Sequence, residues 1–153
     1  MASLTQTARH PVRGPHRCAV LVVEDEPELQ ALVRFALEAD GCEVSVAGDG
    51  REALKHLRST ASTCLIILDL FLPVMSGRRF RAAQLRDRSL AWIPVLILSG
   101  GVEGAREARE LGACAFVRKP VDVDELRAAV KRIDCGHQRH QVEQRAPAEP
   151  GAN

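Results

Sequence analysis

A chain of 153 residues, 46% hydrophobic and 27% charged, has the size and balance of one globular domain that can fold without disulfides or a structural metal. Its formal net charge of +1 excludes a broad electrostatic attraction to nucleic acid or to an anionic membrane. No apolar stretch of spanning length and no signal-peptide core occur, so a cytoplasmic location without membrane contact is expected; five cysteines without CxxC spacing argue against a disulfide framework and a zinc site.

Residues 1–17 mix Thr, Pro, Gly and His with Arg9, Arg13 and Arg17, lack a periodic apolar face, and are expected to form a disordered arm. The run Val20-Leu21-Val22-Val23 then predicts a strand that leads into Glu24-Asp25. After Pro27, which suits the first turn of a helix, Leu29, Leu32, Val33, Ala36 and Leu37 keep helical spacing, and Gly41 ends that helix. Cys42, Val44 and Val46 alternate with Glu43 and Ser45, the pattern of a half-exposed edge strand. Asp49 and Glu52 predict a capped helix carrying Ala53, Leu54 and Leu57.

The apolar run Leu65-Ile66-Ile67-Leu68 ends at Asp69. Ser76-Gly77 opens a helix through Phe80, Ala83 and Leu85, and Arg78, Arg79, Arg81, Arg86 and Arg88 read as its solvated face and the loop beyond. Val95-Leu96-Ile97-Leu98 ends at Ser99, a short charged helix spans Glu103 to Leu111, and Ala115-Phe116-Val117 is followed by Arg118, Lys119 and Pro120. Asp122 with Glu125 caps a last helix whose Leu126, Ala129, Val130 and Ile133 face inward. Cys18, Cys42, Cys64 and Cys114 stand near strand starts and read as small buried hydrophobes. From Cys135 onward the chain is polar and ends in Pro and Gly, so 135–153 is expected to be a disordered tail, with His137 and His140 as solvated side chains.

Five strand–helix alternations over residues 18–134 predict an α/β, doubly wound (βα)5 domain with parallel strands joined by right-handed crossovers. The continuously apolar first, third and fourth strands belong in the middle and the alternating second at an edge, which gives the order 2-1-3-4-5. Ligands of such sheets bind beyond the carboxyl ends of the strands. There Glu24, Asp25, Asp69, Ser99 and Lys119 would share one crevice. Three carboxylates, a hydroxyl and an ammonium suit a magnesium-assisted phosphoryl transfer to a carboxylate, whereas an apolar core has no use for them.

The segments Val-Glu-Asp-Glu-Pro at 23–27, Leu-Asp-Leu-Phe-Leu-Pro at 68–73 with Gly77 beyond, Leu-Ser-Gly at 98–100, Leu-Gly-Ala at 111–113 and Lys-Pro at 119–120 resemble the receiver domain of two-component response regulators, with a flavodoxin-like or CheY-like fold. The resemblance implies a phosphoprotein of signal transduction, not an enzyme, that takes a phosphoryl group on Asp69 from a histidine kinase or phosphotransfer protein. It implies Mg2+ held by Glu24, Asp25, Asp69 and the Phe71 backbone carbonyl. Ser99 and Lys119 would contact the phosphoryl group, Phe116 would be the aromatic switch, and Lys119-Pro120 a cis peptide bond. Gly100 and Gly101 depart from the family's usual residues and loosen the loop after Ser99. With 19 residues after Asp134, no output domain is expected, so the signal would pass to a downstream protein and not directly to DNA. A phosphorelay shuttle and a phosphate-independent adaptor on the same fold are the alternatives, and the intact Asp25, Asp69, Ser99 and Lys119 argue against the second.

Overall fold

A computed structural model describes residues 18–143, with side chains described as far as residue 133. The expected N-terminal arm therefore lies outside the described residues, as do the side chains of His137 and His140 and the whole of 144–153. Ten elements alternate along the chain: β1 (Ala19–Val23), α1 (Pro27–Ala39), β2 (Glu43–Ala47), α2 (Gly50–Ser59), β3 (Leu65–Asp69), α3 (Gly77–Arg86), β4 (Val95–Ser99), α4 (Gly104–Glu110), β5 (Ala115–Arg118) and α5 (Val123–Glu143). Helix α5 thus continues past residue 134, where the sequence suggested the domain would end. The five strands are parallel in the order β2-β1-β3-β4-β5, as the apolar patterning predicts.

Successive strand side chains point to opposite faces, so each apolar strand feeds two cores. On one face Leu21, Val23, Ile66, Leu68 and Ile97 meet Leu54 and Leu57 of α2 and Phe80 of α3. On the other, Val20, Val22, Leu65, Ile67, Leu96 and Leu98 meet Val33 and Leu37 of α1 and Leu126, Ala129 and Val130 of α5. Burying each of these larger apolar side chains contributes about 1.5–3 kcal/mol, which holds both helical layers against the sheet.

The caps lie where the side-chain chemistry directs them. Asp49 Oδ1 accepts from the Arg51 and Glu52 amides at 2.8 and 2.9 Å, Ser76 Oγ from the Arg79 amide at 3.3 Å, and Asp122 Oδ1 from the Glu125 amide at 3.0 Å. Glu52 reaches back to the Gly48 amide at 2.8 Å, one residue before the cap itself. Gly41, at φ +86°, supplies the left-handed residue that ends α1.

Four side chains depart from the sequence reading. Leu32 and Leu85 are exposed, because each stands at the border of its helix's apolar stripe and the sheet covers only the stripe's centre. Arg81, expected in solvent, is only 6% exposed. It lies on the inward face of α3 beside Phe80 and Gln84, and its guanidinium donates to the Leu111 and Gly112 carbonyls at 3.0 and 3.2 Å and to Gln84 Oε1 at 2.7 Å. Cys114 is exposed just before the edge strand β5, while Cys18, Cys42 and Cys64 are half-buried. The other four arginines of that segment are exposed as expected.

Candidate functional site

The site forms because β1, β3 and β4 end at one level. Val23 pairs with Leu68, and Asp69 with Leu98, so Glu24-Asp25, Asp69 and Ser99 emerge together from the carboxyl edge. β5 pairs Arg118 with Ser99, and the next residue, Lys119, has its amide bound to the Ser99 carbonyl at 2.9 Å. From there the lysine side chain crosses β4 to reach β3 and β1. Its Nζ donates to Glu24 Oε2 at 2.8 Å and to Asp69 Oδ2 at 3.0 Å.

Glu24 is 1% exposed and Asp69 3%, whereas Asp25 faces solvent. Carboxylate oxygens of all three lie within 4.8 Å of one another. Burial pushes the Glu24 carboxyl above its ordinary 4.5, and the charge of Asp69 adds to this against the opposing hydrogen bonds from Lys119 and the Glu26 amide. Burial would lower the Lys119 ammonium, but its bonds to Glu24 and Asp69 outweigh that and hold it above 10.5. One ammonium offsets one of three acids. The oxygen-only donor set, its spacing and its surplus negative charge fit a hard divalent cation such as Mg2+.

The backbone around Asp69 is held closely. Asp69 Oδ1 accepts from the Phe71 amide at 3.2 Å, while the Phe71 side chain is exposed. A Cβ on Gly77 would lie 2.2 Å from the Asp69 carbonyl oxygen, so the start of α3 can press on this strand end only through a glycine; the Gly77 amide donates to the Leu70 carbonyl at 2.9 Å. Gly50 makes a similar approach from α2, its amide donating to the Met75 carbonyl at 3.2 Å. Between them Val74 has φ +64°, a left-handed conformation that a β-branched residue adopts only under strain.

Ser99 is fully buried, and its Oγ accepts from the Gly101 amide at 3.3 Å. Phe116 is half-buried behind it against Gly104, and the Lys119-Pro120 bond is cis. Glu24, Asp25, Asp69 and Lys119 thus meet in one crevice, with Ser99 and Phe116 beside it, while the Phe71 side chain is exposed. Sequence reasoning missed Gln30, whose amide nitrogen donates to the Glu24 carbonyl, and the Gly50 and Gly104 approaches. Gln30 had a usable signal, standing one helical turn past Glu26 on the helix that follows the acidic pair. The two glycines had none, because what they touch comes from distant segments.

The family model described as the response regulator receiver domain matches residues 20–131. The chain belongs to the response regulator receiver domain family. This receiver domain is 38% identical over 116 residues to the alkaline phosphatase synthesis transcriptional regulatory protein PhoP of Bacillus subtilis, covering 74% of this chain and 47% of that protein. It is 34% identical to the sensor histidine kinase TmoS of Ectopseudomonas mendocina, covering 74% of this chain and 12% of that one. The chemotaxis response regulator CheY4 of Vibrio cholerae has a similar structure, with a TM-score of 0.71 at 30% identity, covering 76% of this receiver and 98% of that chain. The receiver spans about half the length of the transcriptional regulators it matches, so their whole activities do not transfer to it. Nor do their names support the expectation that it avoids DNA. No helix among the described residues is long and apolar enough to cross a membrane.

Proposed function

We propose that this receiver is a cytoplasmic phosphoacceptor switch that takes a phosphoryl group on Asp69 from a phosphohistidine of a histidine kinase or phosphotransfer protein and then regulates a downstream protein. The observation that carries this reading is the contact of Lys119 Nζ with both Glu24 and Asp69 inside the three-acid cluster. One ammonium shared between two buried carboxylates leaves net negative charge for a further cation and offers a cationic seat for anionic oxygens.

In the transfer an Asp69 carboxylate oxygen attacks phosphorus, the phosphorus–nitrogen bond breaks, and its electron pair stays on the departing imidazole. The Phe71 amide and Lys119 orient the Asp69 carboxylate for this attack. Glu24, Asp25, Asp69 and the Phe71 carbonyl would hold Mg2+, which when bound neutralises charge shared by the acids and the phosphoryl oxygens. Lys119 then exchanges its contact with Asp69 for one with the phosphoryl oxygens, acting as a flexible point charge. Ser99 turns its hydroxyl to the same group, and Phe116 follows into the space released.

Incubation with acetyl phosphate and magnesium, followed by intact mass measurement, tests the reading. One added phosphoryl group is expected, absent after chelation of the metal and absent in Asp69→Asn. Undiminished labelling of Asp69→Asn would remove Asp69 from this role.

A further inference from the structure

The loop from Gly100 to Glu103 joins Ser99 to α4, and its contacts outside the acidic crevice form a closed circuit. Ser99 Oγ accepts from the Gly101 amide at 3.3 Å. The Gly101 carbonyl accepts from the Gly104 amide at 3.2 Å and from Arg118 Nη1 at 3.3 Å. The Arg118 guanidinium lies 5.8 Å from the centre of the Phe116 ring, within cation–π range. That ring rests where a Gly104 side chain would be: a Cβ there would stand 2.8 Å from two ring carbons and 3.0 Å from Ser99 Cβ. Arg118 thus touches both the loop and the aromatic ring while its neighbour Lys119 reaches into the crevice.

We infer that Arg118 is a latch on the resting state, a positioning residue that ties the Gly101 carbonyl to the Phe116 ring and so holds the loop and the ring together while the site is empty of phosphate. The inference rests on the phosphoacceptor reading of the crevice. Turning Ser99 to another staggered rotamer carries Oγ off the Gly101 amide. The loop then shifts, the Gly101 carbonyl leaves Arg118, and the ring loses the cation above it. Gly100 and Gly101 add no side chains to restrain the loop, which leaves this role to an arginine reaching across from the neighbouring strand. Arg118 itself is exposed, as is its bond to the Gly101 carbonyl, and the Phe116 ring is only half-buried, so the restraint is modest, about two- to five-fold in the resting equilibrium.

Removing a cation beside an anion site weakens anion binding, whereas releasing a latch on the resting state tightens it. These opposite signs make the test decisive. Amide hydrogen exchange of Gly101 and Gly104 is measured by NMR in wild type, Arg118→Met and Arg118→Lys without ligand, and each protein is then titrated with beryllofluoride and magnesium. Arg118→Met is expected to speed exchange at both glycines and to raise the apparent beryllofluoride affinity, each by about two- to five-fold. Exchange in the sheet should stay unchanged, and Arg118→Lys, which keeps the charge but not the forked donors, should fall between. Unchanged exchange at Gly101 and Gly104 in Arg118→Met overturns the latch, and faster exchange with equal or weaker beryllofluoride affinity overturns its link to switching. If wild type fails to bind beryllofluoride, the phosphoacceptor reading fails, and the latch then stands or falls on the exchange comparison alone.

Discussion

Asp25 is the one acid of the cluster that faces water without contacting Lys119, so its charge is the least compensated of the three. Asp25→Ala is therefore expected to lose most of the affinity for magnesium while leaving the unfolding midpoint in urea at or above that of wild type, since it removes like-charge repulsion. Isothermal titration with magnesium checks the first half; unchanged affinity would remove Asp25 from the metal site. Val74 carries a different burden. Its φ of +64° costs about 1–2 kcal/mol for a residue with a branched Cβ, and its exposed side chain returns little packing. Asn tolerates this conformation, so Val74→Asn should raise the unfolding free energy by about 1 kcal/mol. Equal or lower stability in urea denaturation would show that the loop relaxes around valine without cost.

Among the elements, α3 is tied at its start and its middle to other segments. Its start presses through Gly77 on the backbone of Asp69, and its middle sends Arg81 to the carbonyls that end α4. A guanidinium at that point satisfies the last carbonyls of a seven-residue helix and places a positive charge at the negative end of its dipole. Burial lowers the Arg81 pKa below the ordinary guanidinium value, but a guanidinium stays charged throughout the working pH range. Arg81→Met keeps the length of the stem and removes all three hydrogen bonds, so the Leu111 and Gly112 carbonyls lose their partner. A loss of about 2 kcal/mol in unfolding free energy is expected, with faster amide exchange at the end of α4. A loss below about 0.5 kcal/mol in denaturant unfolding would mean that water replaces the guanidinium at those carbonyls.

At the scale of the molecule, the sheet gathers into one crevice groups from β1, β3 and β4, and Lys119 is the side chain that spans them. Lys119→Ala should still accept some phosphoryl from acetyl phosphate, because Asp69 and the other acids remain, yet fail to transmit it. A ligand shifts a conformational equilibrium only by its differential affinity for the two states, and the lysine contact is a source of that difference. Hydrogen exchange over 99–120 with and without beryllofluoride is expected to show added protection in wild type and little in Lys119→Ala. Equal protection in both would assign the coupling to Ser99 alone.

The sheet order and the composition of the crevice were legible in the sequence because both follow from local patterns. Short continuous apolar runs bounded by turn residues suit central strands, the alternation of Cys42 to Val46 suits an edge, and parallel strands with right-handed crossovers align their carboxyl ends. The acids, Ser99 and Lys119 stand directly after those runs, so their meeting needed no knowledge of side-chain packing. Arg81 was misread because helical spacing alone does not reveal which side of a charged helix meets a distant carbonyl. Gly104, Gly50 and the bond of Arg118 to Gly101 depend on segments 12 to 30 residues away that approach only in three dimensions, as Phe116 does to Gly104 and Met75 and Phe80 to Gly50. Tertiary structure alone decided these contacts, because a close approach is a property of two surfaces and a sequence pattern describes only one of them.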